Sequence, residues 1–147
     1  MMELKCYQVK GPRELTLSFL ADQLLEQGYV NDDFKRCLLE RERIFPTGLN
    51  LCDSVNVAIP HTECCYVKKD LFVIGVSEEP IIFNRIDEPE EELPVNVIFL
   101  FAIVDPKSYL PILASLTENF SNEDFLDCIK LKDSKKIEEY LCLHVLV

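Results

Sequence analysis

Apolar residues recur at helical spacing in the first third of the chain, shift to alternating or continuous runs in the middle, and return to helical spacing at the end. Leu17, Leu20, Ala21 and Leu24 predict a first helix, and Gly28 is placed to end it. Phe34, Cys37 and Leu38 predict the inward stripe of a second helix. Asn31 is its candidate N-cap, and Asp32 and Asp33 suit the positive end of its dipole. From Val55 the period becomes two: in "VNVAI", Val55, Val57 and Ile59 fall on one side, as in a strand. Pro60 has no N–H to give a ladder, so this strand should stop there or lie on an edge.

"LFVIGV" (71–76) and "VNVIFLFAIV" (95–104) predict interior strands, and "PIIF" (80–83) a shorter one. Between them, "NRIDEPEEELP" is charged and Pro-rich, as a solvated loop would be. In the last third, Ser108 is a candidate cap for a helix with Pro111 at its third position. Tyr109, Ile112, Leu113, Leu116 and Phe120 form that helix's apolar stripe. Ser121 with Asp124 resembles a capping box, and a final helix over 134–141 turns Ile137, Tyr140 and Leu141 inward. Helices before and after a set of central strands predict an α/β layer structure.

With 147 residues the chain is one domain's worth, and no repeat or long linker divides it. Its net charge of −11 argues against nucleic acid and against an anionic membrane surface, since both need clustered cations. A basic protein partner suits it better. The longest apolar run, Val97 to Val104, is far short of the ~20 residues of a spanning helix. "MMELKCYQVKGPREL" lacks the apolar segment of a signal peptide, and seven cysteines is an odd number. A reduced, cytoplasmic setting is the expectation, without direct membrane insertion.

Chemistry concentrates at one of only two histidines. His61 follows Pro60 where the "VNVAI" strand should reach the rim of a sheet, a common place for ligand contacts. The plain alternative is a polar loop residue. Arg41 lies three to four residues beyond Cys37 and Leu38, in the middle of the predicted inward face, while Arg43 falls opposite. An inward guanidinium needs an anion: either an acid of this acidic chain, with its stem snorkelling, or an anionic group brought by a ligand. Neutral imidazole, with an ordinary pKa of about 6.5, is available as a nucleophile at neutral pH. "HTECC" also invites a metal or thiol reading. Adjacent cysteines poorly suit a tetrahedral zinc site, however, and no C-x-x-C pair supplies further ligands.

"LLERERIFPTGL" followed by "VAIPH", and later "SLTENFSNEDFLDCIK", resemble the type-2 IIA proteins of the bacterial sugar phosphotransferase system, the fructose–mannitol superfamily, and most of all its galactitol-type branch. The resemblance implies one α/β domain over residues 1–147, a mixed central sheet flanked by helices, and no cofactor or metal. It implies that His61 accepts a phosphoryl group from the carrier HPr and passes it to a cysteine of a cognate EIIB component, which serves a membrane EIIC component. It further implies that Arg41 stabilises the phosphoryl oxygens. Thr47 belongs to the matching loop, as hydrogen-bond donor or turn former. Glu42, of the "RE" pair, is either an auxiliary group or, more simply, an exposed helical carboxylate. Where mannitol-type relatives carry a second active-site histidine, this chain has Tyr109, which is either a phosphoryl-binding phenol or a core aromatic. His144 matches no motif. A regulatory module that reports phosphorylation state by binding proteins is the alternative function.

Overall fold

Strand register and side-chain alternation divide the interior into two cores, one on each face of a mixed five-stranded sheet. The computed structural model describes residues 2–146. Among the described residues the elements run β1 (Glu3–Gln8), α1 (Arg13–Glu26), α2 (Phe34–Ile44), β2 (Gly48–Cys52), β3 (Val55–Ala58), a 3₁₀ turn (Cys64–Tyr66), β4 (Leu71–Asn84), β5 (Glu92–Ala102), α3 (Pro106–Asn119), α4 (Glu123–Lys130) and α5 (Ser134–His144). The sheet order is β1-β4-β5-β3-β2. The β1–β4 and β3–β5 pairs are parallel, and β4–β5 and β2–β3 are antiparallel.

Period two explains the layers. Leu71 and Val73 of β4, with Ile98 and Leu100 of β5, pack under Leu17, Leu20, Leu24, Phe34 and Leu38 of α1 and α2. Their neighbours Phe72, Ile74, Phe99 and Phe101 point the other way, onto Leu116, Phe125, Ile137 and Leu141 of α3 to α5. Over residues 71–76 and 97–102 the two central strands are buried on both faces, so these stretches read as apolar runs. This is the expected single-domain α/β layer fold with a mixed sheet.

Several local expectations are corrected. β1 and β2, the two edge strands, are not among the predicted strands: half-exposed edges blur the alternation that reveals a strand. "PIIF" is no separate strand but the far end of β4, displaced by an irregularity between Val76 and Ile81. Asp105, not Ser108, caps α3 by accepting from the Lys107 N–H, so Pro106 takes the first turn and Pro111 lies inside the helix. Asn122, not Ser121, caps α4, accepting from the N–H groups of Asp124 and Phe125. Before α2, the cap position falls to Asp33, and Asn31 instead accepts from the Asp33 N–H. α1 ends as expected. Gly28 has φ +80°, and the N–H groups of Gly28 and Tyr29 bond the carbonyls of Leu25 and Leu24, closing a Schellman turn.

Candidate active site

Strand register carries His61 to its place. β3 runs parallel to β5, with Val57 beside Val97 and Ala58 beside Ile98. Pro60 interrupts the ladder without shifting it, since His61 again pairs with Phe101. The histidine therefore stands at the shared carboxyl end of two parallel strands, close to where the chain leaves β5 and enters α3 at Pro106.

The loop before β2 braces this strand. Thr47 is 4% exposed and Glu42 3%. The Glu42 carboxylate accepts from both the Thr47 N–H and the Thr47 hydroxyl, each at 2.8 Å. The Thr47 carbonyl in turn accepts from the Ile59 N–H at 3.2 Å. The next residue, Gly48, has no room for a side chain: a Cβ there would stand 2.6 Å from the Asn84 carbonyl oxygen. A fixed hydrogen-bonded path thus runs from α2 through the loop to Ile59. From there the Ile59 carbonyl lies 2.9 Å from His61 Nδ1. A carbonyl can only accept, so Nδ1 carries the hydrogen and Nε2 keeps a free lone pair.

The ring packs between Phe101, with centroids 6.4 Å apart, and Tyr109, at 5.2 Å. It lines a cavity of about 420 Å³ together with Arg41, Thr62, Glu63, Cys64, Cys65, Pro106 and Tyr109. Burial lowers the pKa of His61; the bond to Ile59 opposes that, and the Arg41 charge adds to it. The neutral, nucleophilic form is the one favoured. Arg41 makes no ion pair with an acid among the described residues; its guanidinium lies over Phe45, 5.7 Å from the ring centroid. Ile44 and Phe45, both more than half exposed, line a neighbouring pocket together with Arg41, Thr62 and Glu63. The Cys64 thiol is pushed up in pKa by burial and nearby carboxylates, opposite to a reactive thiolate.

Residues 8–142 match the family described as phosphoenolpyruvate-dependent sugar phosphotransferase system, EIIA 2. The chain belongs to this family. It is similar to the galactitol-specific EIIA component of Escherichia coli K12, 24% identical over 134 residues that cover 91% of this chain and 88% of the relative. Its fold is similar to the complex of enzyme IIA mannitol and phosphorylated enzyme IIB mannitol from E. coli (TM-score 0.70, 21% identity, 97% of this chain and 94% of the other). It also resembles nitrogen regulatory protein IIA-Ntr from Neisseria meningitidis (TM-score 0.68, 24% identity, 95% and 91%). This EIIA chain is therefore a phosphotransferase-system component with a galactitol-specific homologue.

Of the residues singled out in its sequence, Arg41, His61 and Tyr109 meet at one cavity, while Thr47 and Glu42 stand behind it. Two expectations about α2 change. Its buried face is Phe34, Leu38 and Glu42, so Glu42 occupies the centre that was expected of Arg41 and is not an exposed carboxylate. Arg41, one residue back and 100° around the helix, is half-buried at the edge of that face, turned to the cavity. Thr62, Glu63, Cys64, Cys65 and Pro106 were not expected to line the site as they do. Their adjacency to His61 in "HTECC" was the available signal for four of them. His144 is exposed against Tyr140, remote in sequence and absent from the cavity wall. The described residues hold no group of three His, Cys, Asp or Glu side chains arranged to bind a metal, and no helix long and apolar enough to cross a membrane.

Proposed function

We propose that this EIIA chain is a cytoplasmic phosphocarrier that accepts a phosphoryl group on Nε2 of His61 and hands it on. The observation that carries this reading is the His61 ring itself: Nδ1 is committed to the Ile59 carbonyl, so Nε2 is left unprotonated in a cavity that also holds Arg41, which has no ion pair among the described residues.

The donor is the phosphohistidine of HPr. The Nε2 lone pair forms a bond to phosphorus as the donor's P–N bond breaks, and the departing imidazole keeps that electron pair. No proton need leave, because the attacking nitrogen carries none. Such a transfer asks for in-line placement and for charge to meet the three phosphoryl oxygens. The braced strand gives the first, and Arg41 gives the second as a preorganised cation. In the onward step a thiolate of the cognate EIIB component attacks phosphorus, and His61 leaves as neutral imidazole. The EIIB protein then serves a sugar passing through the membrane EIIC component, for which the galactitol-type kinship favours a polyol. The exposed Ile44 and Phe45, beside Arg41 in the neighbouring pocket, suit docking of successive carriers.

Incubation with phosphoenolpyruvate, enzyme I and HPr is expected to place one acid-labile phosphoryl group on the protein, and a cognate EIIB to drain it. Absence of labelling would contradict the carrier reading. The similarity to a nitrogen regulatory protein supports the second reading, a regulatory module; labelling that no EIIB can drain would select it.

A further inference from the structure

We propose that Phe45 is a positioning residue for the transfer, its ring holding the Arg41 guanidinium at the wall of the His61 cavity without neutralising it. This rests on the phosphocarrier reading above and adds to it a residue that is not itself in that wall.

Arg41 stands between two hollows. It lines the His61 cavity and also the smaller neighbouring pocket of about 180 Å³, where Phe45 forms part of the wall. An arginine side chain has many rotamers, so it must be held if it is to be in place when an anion arrives. No carboxylate of the described residues pairs with it, although Glu40 and Glu63 line the same smaller pocket. What does lie against the guanidinium is the Phe45 ring, with its centroid 5.7 Å from the guanidinium carbon. Phe45 follows Arg41 by four residues, the spacing that brings side chains together on one side of a helix.

The backbone gives this ring a fixed mount. Phe45 is the C-cap of α2, and its N–H bonds the Arg41 carbonyl at 2.6 Å, closing the last turn. Pro46 and Thr47 follow, both buried, and Glu42 holds Thr47 by two hydrogen bonds. The ring itself is 63% exposed, so core packing does not account for it. An aromatic face has a particular advantage here. A carboxylate would also hold Arg41, but it would occupy the N–H donors and cancel the charge before any phosphoryl group came. A ring attracts the cation and leaves that charge in place. In one and the same conformation Arg41 lies over Phe45 and lines the His61 cavity, so it need not leave the ring to act. A phenylalanine that only docks carriers would explain the exposure and leave the guanidinium unheld.

The test is a double-mutant cycle on the rate at which phospho-HPr loads His61. Phe45→Leu keeps an apolar side chain and removes the ring face. It should slow loading by about 2- to 5-fold, the equivalent of about 0.5–1 kcal/mol for a cation over an aromatic ring at an exposed site. Phe45→Tyr keeps the face and should load at close to the wild-type rate. In an Arg41→Ala background, Phe45→Leu should have no further effect, since no guanidinium remains to be held. An unchanged rate in Phe45→Leu, or a Phe45→Tyr variant as slow as Phe45→Leu, would overturn the role. So would equal slowing in both backgrounds, which would make the ring a docking contact independent of Arg41. A wild-type protein that takes no label, or a His61→Ala variant that still does, would instead overturn the phosphocarrier reading beneath it.

Discussion

Arg41 and Glu42 are neighbours in the chain and opposites in their surroundings. On the Glu42 side of the cavity the carboxylate is buried and doubly bonded to Thr47, and that contact continues through Ile59 to the ring of His61. On the other side Arg41 has no acid among the described residues and lies over the Phe45 ring. Satisfied polar groups fix geometry, whereas preorganised but unsatisfied ones stand ready for charge that arrives from outside. One helix serves both ends because a step of a single residue turns a side chain through 100°.

That contrast can be broken from either side. The largest effect is expected at Glu42→Ala, which strands two buried donors of Thr47 and opens space behind the loop. It should cost on the order of 2–4 kcal/mol of folding stability, read by denaturant unfolding. Next comes Arg41→Ala, expected to slow transfer through the protein by on the order of 100-fold. Its unfolding midpoint should stay near wild type, because the guanidinium has no ion pair among the described residues to lose. Normal transfer by that variant would remove Arg41 from the chemistry.

The smallest effect sharpens the Glu42 side through pH. Burial raises the Glu42 carboxyl from 4.5 to about 7, against the two Thr47 bonds and the more distant Arg13 charge, which pull it down. The folded protein therefore holds this proton more tightly than the unfolded chain. The resulting stability is fully present below about 4.5 and is lost as pH rises through about 7. His61, its pKa lowered by burial, acts in the opposite direction, destabilising the fold as pH falls below 6.5. The difference between wild type and Glu42→Gln isolates the carboxyl. It should change by on the order of 1–3 kcal/mol across that window, and a flat difference would mean the carboxylate is not desolvated.

Much of this arrangement is legible in the amino-acid order alone. The doubly buried strands stand out as apolar runs, and Pro60 with His61 marks where one strand meets the rim. The edge strands do not, because β1 and β2 are half-exposed and lack clean alternation. The roles of Arg41 and Glu42 are blurred by the period of the helix: a stripe drawn through Cys37 puts Arg41 at its centre, whereas the stripe through Phe34 and Leu38 puts Glu42 there. Helix periodicity cannot choose between two residues 100° apart when both are charged. Tertiary contact with Thr47 chooses. That the Tyr109 hydroxyl is buried without a partner is equally invisible along the chain, since it is a property of everything around that group.

Protection of Nδ1 by the Ile59 carbonyl is the central structural claim, and magnetic resonance of the phosphorylated protein tests it most directly. With phosphorus-31 and nitrogen-15 detection, a single phosphohistidine is expected at His61, bonded through Nε2, with Nδ1 still protonated. Phosphorus on Nδ1, or an undiminished signal in His61→Ala, would contradict the account.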